Sequence, residues 1–252
     1  LDGHFDLVTT PAALAVEQRI LDTIERGQGQ GRAFMPPDAA MARLQEAARE
    51  LGRERAGVDT WQLNEGQLAA GVAILSGTDR FLNVQGVAGA GKSTLLGALD
   101  KVLAGEGAKL VGLAFQNKMV ADLRGGGGHG MSADQMRAAG IEAYTIARFL
   151  STYASAAAAG SGERFEAAKA ALANTVIITD ESSMVSSRDM LRLTTLAEQL
   201  DLAKAPFMGD RQQLSAIEQG KMFAVSQASG QATVRMDENI RQKNSPLLLA
   251  VA

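Results

Sequence analysis

Residues Gly86 to Thr94 read G-V-A-G-A-G-K-S-T, a complete phosphate-binding loop of the form G-x-x-x-x-G-K-[ST], and they follow the apolar run Phe81-Leu82-Asn83-Val84. Strand, glycine-rich loop and a helix opening near Thr94 stand in the order a nucleotide site requires. The small residues Ala88, Gly89 and Ala90 let the backbone wrap closely around a polyphosphate, with successive N–H groups turned inward as anion donors. On this reading Gly86, Val87, Ala88, Gly89, Ala90, Gly91, Lys92, Ser93 and Thr94 bind the nucleotide. Lys92 reaches the β- and γ-phosphates, Ser93 offers its hydroxyl to Mg²⁺, and the helix adds the positive end of its dipole.

From Phe81 onward apolar runs alternate with helical segments: Phe81 to Val84, Leu110 to Phe115, Val176 to Thr179, Pro206 to Met208 and Thr233 to Met236. The alternation predicts an α/β fold, a parallel sheet covered by helices on both faces. Ahead of it, Thr10 can cap and Pro11 can open a helix running to about Arg26, through Leu14, Val16, Ile20, Leu21 and Ile24. Pro36-Pro37-Asp38 opens a second through Met41, Leu44, Ala47 and Leu51, and a third begins near Asn64 and ends about Gly77. The expected organisation is a small helical N-terminal unit over residues 1–58 and one α/β domain over residues 59–252. Ala154 to Gly160 reads as a helix end and linker, and Gly125 to Gly130 as an exposed loop whose His129 is solvated.

Composition narrows the function. A net charge of -3, from 25 Lys and Arg against 28 Asp and Glu, is not the footprint of bulk-charge binding to duplex DNA, although a local groove can still be basic. Without cysteine there are no disulfides or thiolate metal sites, and only His4 and His129 carry imidazole. No apolar run approaches bilayer length, so membrane insertion is not expected. The N-terminus has neither a basic n-region nor an apolar h-region, making the cytoplasm the default. A chain that starts at Leu1 and stops at Ala252 reads as an excised piece.

Further along, Val176-Ile177-Ile178-Thr179 delivers Asp180-Glu181 at the C-terminal end of an expected strand, the edge where ligands bind in open α/β sheets. Asp180 would hold Mg²⁺ and Glu181 would polarise the attacking water as general base. After the next strand, Gly209-Asp210-Arg211-Gln212-Gln213-Leu214 places polar groups where a γ-phosphate supplies the partner. Gln213 could sense that phosphate, and Asp210 and Arg211 could orient water, metal or a neighbouring loop. Arg241 is the candidate cation for charge developing on the γ-phosphoryl group, its planar fork suiting phosphate oxygens. Gln67 could close a capping box with Asn64 or read the adenine edge, and both uses can coexist.

Taken in order, these segments resemble the first motor domain of superfamily 1B DNA helicases, the RecD-like group that includes the helicase part of TraI/TrwC-type conjugative relaxases. Gln67 falls at the Q motif and Gly86 to Thr94 at motif I; Phe115 to Ala121 is similar to motif Ia without its usual Pro or Thr. Ala143 to Leu150 resembles the Ala-x-Thr-Ile-x-x-x-Leu stretch that touches DNA, Asp180 to Met184 motif II, Gly209 to Leu214 motif III and Asn239 to Gln242 motif IV. The resemblance covers about residues 60–245, and the segment from Phe5 to Leu21 is more loosely similar to the one joining relaxase to helicase.

The resemblance implies a RecA-like P-loop NTPase domain using ATP and Mg²⁺ for 5′-to-3′ travel along single-stranded plasmid DNA. Catalysis would fall to Lys92, Asp180, Glu181, Gln213 and Arg241, metal binding to Ser93 and Asp180, and DNA contact to Asn117, Lys118, Thr145 and Arg148. Implied partners are single-stranded DNA, a second RecA-like domain and a relaxase domain of the same polypeptide, and the conjugation machinery. The alternatives are a RecD-like repair helicase, which shares every motor residue, and a non-catalytic module that binds single strands. The nicking tyrosines and three-histidine cluster of relaxases have no counterpart here, since Tyr144 and Tyr153 lie inside the motor.

Overall fold

The computed structural model describes residues 10–86, 91–124, 141–210 and 221–236. Helix α1 (Pro11–Arg26) starts as expected, with Pro11 in its first turn and the Thr10 hydroxyl accepting the Ala13 N–H at 3.2 Å. Helix α2 (Pro37–Ala56) ends at Gly57, whose φ of 68° lets its N–H turn back to the Arg53 and Gly52 carbonyls. Helix α3 (Glu65–Ser76) opens on a capping box in which Asn64 and Gln67 each bond the other's backbone N–H.

Next come β1 (Asn83–Gly86), α4 (Lys92–Gly105), β2 (Lys109–Ala114) and α5 (Asn117–Leu123). After them stand β3 (Glu142–Thr145), α6 (Ile146–Ala159), α7 (Glu163–Ala171), β4 (Thr175–Thr179) and a 3-10 turn (Ser182–Met184). Helix α8 (Ser187–Gln199), β5 (Phe207–Gly209), α9 (Lys221–Ala228) and β6 (Thr233–Met236) complete the described chain. Five strands fall within about two residues of their expected places, an ordinary boundary error. Strand β3 is an addition, in a segment read only as a DNA-contact motif. Gly160, at φ 66°, closes α6 where a helix end was expected.

All six strands pair in parallel, in the order β3-β2-β4-β5-β1-β6. This is the α/β architecture of a RecA-like P-loop NTPase. Side chains alternate across it: Leu110, Val176, Ile178 and Met208 enter the cluster with Leu44 and Leu99, whereas Val111, Ile177 and Phe207 enter that with Ile20 and Leu193. Helices α2, α3 and α4 therefore form one layer, and α1 and α6 to α9 the other. The two N-terminal helices precede the α/β region, and each packs into a different layer of it.

Two buried cations join connections that apolar packing leaves loose. Arg80, 4% exposed, donates to the Ala197 and Gln30 carbonyls at 3.1 and 3.0 Å and to Asp201 at 2.5 Å, so it closes the end of α8. Lys204, fully buried, donates to the Gly77 and Asp79 carbonyls at 2.6 and 2.9 Å. It thereby ties the start of β5 to the connection between α3 and β1.

Candidate nucleotide-binding site

Strand β1 is flanked by β5 and β6, and the chain leaves it for β2 on the far side of β4. Its C-terminal end is thus a switch point in strand order, the place where open α/β sheets take ligands. Gly86 ends β1 and Gly91, at φ 75°, stands at the head of α4 in a left-handed conformation that glycine adopts without strain. No side chain caps α4, which keeps its first N–H groups open to an anion. Ser93 is exposed in that first turn, and the Thr94 N–H bonds the Gly91 carbonyl at 3.1 Å. Val87, Ala88, Gly89 and Ala90 lie outside the described residues.

Lys92 spans the width of β5 to reach the motif II acids, its Nζ 2.8 Å from Glu181 Oε1 and 3.3 Å from Asp180 Oδ1. All three side chains are mostly buried, at 15% to 18% exposure, so water screens the pairing weakly. Burial works against the charge on Lys92, but the two carboxylates outweigh it and hold its pKa above the ordinary lysine value.

The acids are delivered by β4, buried at every position. The Asp180 N–H bonds the Leu113 carbonyl of β2 at 2.8 Å, fixing the strand end. Glu181 then adopts φ 48°, ψ 45°, a left-handed conformation uncommon for a side chain of its size. That bend opens the 3-10 turn and puts the Glu181 carboxylate on Lys92. Glu181 Oε2 and Ser183 Oγ are buried without a hydrogen-bond partner. Leaving such groups unpaired costs about 1–3 kcal/mol each.

Among the described residues no group of three or more His, Cys, Asp or Glu side chains is gathered to hold a metal. The donors present suit Mg²⁺ carried with a nucleotide, since that ion takes one or two protein oxygens and fills its shell with phosphate and water. Asp180 and Ser93 would be those oxygens, and Glu181 Oε2 stands buried without a hydrogen-bond partner beside them.

Gln67 is 1% exposed and already engaged: its Oε1 accepts the Asn64 N–H at 2.8 Å and its Nε2 donates to the Gly91 carbonyl at 2.9 Å. It fastens α3 to the foot of the phosphate loop. Gln213 and Arg241 lie outside the described residues. Asp210, 4% exposed, is held by Gln85, a residue that sequence reasoning missed although a polar side chain in an apolar strand beside Gly86 was a visible signal.

The DNA-contact candidates gather on the same C-terminal edge of the sheet, around the neighbouring strands β2 and β3. Asn117 and Lys118 are exposed in the first turn of α5. The Thr145 hydroxyl caps α6 by accepting the Arg148 N–H at 3.2 Å, and the Arg148 guanidinium lies 5.2 Å from the centre of the Tyr144 ring. Arg124 sits 5.7 Å from that ring, which the sequence did not single out, while its guanidinium also donates to the Ala143 carbonyl. A 2.6 Å hydrogen bond to Glu142 is the main reason the Tyr144 phenol lies above its ordinary pKa.

A family model described as an AAA domain matches residues 62–252, which takes in every element of this edge. The chain belongs to that AAA domain family. It is 34% identical over 186 residues to the multifunctional conjugation protein TraI of Escherichia coli (strain K12), covering 72% of this chain. A second TraI, from Escherichia coli, is 34% identical over 185 residues, 71% of this chain. The aligned region spans 9% of the length of each of these relatives. Together with the ordered motifs, these matches make this AAA domain a TraI-like superfamily 1B helicase motor domain. No helix among the described residues of the motor domain is long and apolar enough to cross a membrane.

Proposed function

We propose that this motor domain binds and hydrolyses ATP to drive 5′-to-3′ movement along single-stranded DNA, as the helicase part of a conjugative relaxase. The observation that carries the reading is the meeting of Lys92, Asp180 and Glu181 at the switch point of a parallel sheet, beside a helix start that no side chain caps. In catalysis Lys92 leaves the carboxylates for the β- and γ-phosphates, and Ser93 and Asp180 hold the metal. Mg²⁺, when bound, neutralises charge on the phosphate oxygens. Glu181, released from Lys92, accepts the proton of the attacking water. Gln213 senses the γ-phosphate and Arg241 meets the charge that grows there, while Gln67 steadies the loop and borders the base.

The single strand crosses the β2–β3 edge over Asn117, Lys118, Thr145 and Arg148, mostly through its backbone. Intact acids and lysine weigh against a module that only binds. A second RecA-like domain of the same polypeptide closes on the nucleotide, so the 252 residues alone bind Mg-ADP without unwinding. Calorimetric titration with Mg-ADP, beside an unwinding assay on duplexes with a 5′ or a 3′ single-stranded tail using the polypeptide that carries this domain, tests both levels. No heat of nucleotide binding would defeat the site, and unwinding from the 3′ tail alone would defeat the direction.

A further inference from the structure

Gln85 is a polar residue in the middle of a sheet, one position before Gly86, and such a group is costly there unless it is bonded. Among the described residues, it is bonded from the exit of β5 and from α9. The Gln85 Nε2 donates to Asp210 Oδ1 at 3.1 Å, and the Gln85 Oε1 accepts from Gln227 Nε2 of α9 at 3.1 Å. Since Gln227 arrives as a donor, it turns the Gln85 carboxamide oxygen toward α9 and leaves the nitrogen facing the Asp210 carboxylate. The backbone sets this pairing, because Gln85 is in register with Gly209, the residue before Asp210.

The same face of β1 carries a second polar attachment to the α9 region. Asn83 Nδ2 donates to Ser226 Oγ at 3.1 Å and to Gln231 Oε1 at 3.0 Å. Asn83 and Gln85 are two residues apart and so share a face, opposite Val84 in the apolar cluster with Leu44 and Leu99. Directional bonds thus meet α9 from β1 at both positions. Hydrogen bonds hold an orientation within a few tenths of an ångström, which apolar contact does not demand.

We propose that Gln85 is a positioning residue of the nucleotide site: oriented by Gln227, its carboxamide fixes Asp210 against the strand that enters the phosphate loop. The inference rests on the nucleotide reading of Gly86 to Thr94 and adds to it a link between that loop and the exit of β5. Gln85 touches no reacting atom; it acts through Asp210. Asp210 in turn stands next in sequence to Arg211 and three residues before Gln213. Losing Gln85 therefore leaves nucleotide affinity in place and disturbs the step that depends on the end of β5.

The test measures single-stranded-DNA-stimulated ATP turnover by the polypeptide that carries this domain, beside calorimetric affinity for Mg-ADP. Gln85→Leu is expected to lower kcat on the order of tenfold, the scale of lost outer-shell support, with Mg-ADP affinity within about threefold of wild type. Asp210→Ala is expected to lower it at least as far, and Gln85→Leu combined with Asp210→Ala no further than Asp210→Ala alone, because Gln85 acts through Asp210. Gln85→Glu sets two carboxylates face to face, whereas Gln85→Glu combined with Asp210→Asn restores a donor and an acceptor and is expected to turn over faster than Gln85→Glu alone. Unchanged kcat in Gln85→Leu, additive losses in the double variant, or a fall in Mg-ADP affinity parallel to the fall in kcat would each overturn the proposal. A wild-type polypeptide that neither binds Mg-ADP nor hydrolyses ATP would instead remove the nucleotide reading itself, and this proposal with it.

Discussion

Lys92 Nζ lies 2.8 Å from Glu181 Oε1, so the side chain assigned to phosphate neutralises the side chain assigned to activate water. With the pair closed, the ammonium occupies one Glu181 oxygen, and Oε2 is the one left for water. Moving Lys92 onto phosphate would strip from both Asp180 and Glu181 the one cation that pairs with them among the described residues, beside an anionic ligand, in a mostly buried site. Such a state is strongly unfavourable unless another cation arrives.

Nucleotide binding should therefore depend on Mg²⁺ beyond the metal's usual association with phosphate. Titrations of ATP with Mg²⁺ and with excess EDTA should differ by about tenfold or more in Kd in the wild-type domain. Asp180→Asn removes one of the carboxylates that the metal compensates, and the ratio should shrink. An equal ratio in both proteins would show that Asp180 is not part of the metal site.

Removing Lys92 tests the other side of the exchange. Lys92→Ala deletes the phosphate cation and leaves two mostly buried carboxylates facing the loop, and both effects oppose an anionic ligand. Calorimetry should find no measurable Mg-ADP binding. Wild-type affinity in Lys92→Ala would remove the phosphate-loop assignment.

Glu181→Gln separates chemistry from binding. The amide keeps the size and much of the hydrogen bonding but cannot take a proton, so kcat should fall on the order of a hundredfold or more while nucleotide affinity changes little. Single-turnover hydrolysis with bound single-stranded DNA, in the polypeptide that carries this domain, reads the step directly. A normal rate would place the general base elsewhere.

What the sequence made legible follows from how local each cause is. The ends of α1 and α3 could be read because Thr10, Pro11, Asn64 and Gln67 act within one turn of chain. The meeting of Lys92 with Asp180-Glu181 was implied by motif order, because a parallel sheet brings strand ends to one edge. Strand β3 was not, because the four residues Glu142 to Thr145 carry no alternation and become a strand only by pairing with β2. The Arg124 guanidinium reaches Tyr144 only because α5 packs against β3, which no local pattern encodes. Lys204 reads as a surface charge, since lysine is rarely buried and its two carbonyl partners lie more than a hundred residues away.

Lys204 makes the last prediction, because burial drives its pKa down to about 8, only partly opposed by the charge of Asp79. A lysine lowered in the folded state binds its proton less tightly there than in the unfolded chain, so the unfolded state carries more protons between about 8 and the ordinary lysine value of 10.5. Stability contributed at this position must then rise with pH across that window, by at most about 1.4 kcal/mol per pH unit. Lys204→Met keeps most of the volume and cannot titrate, while Lys92, whose raised pKa acts with the opposite sign, is common to both proteins and cancels in their difference. Urea unfolding of wild type and Lys204→Met at neutral pH and near pH 9.5 should show the wild type gaining on the variant as pH rises. A difference that stays flat or falls would mean that the two carbonyls of Gly77 and Asp79 stabilise the ammonium enough to cancel its desolvation.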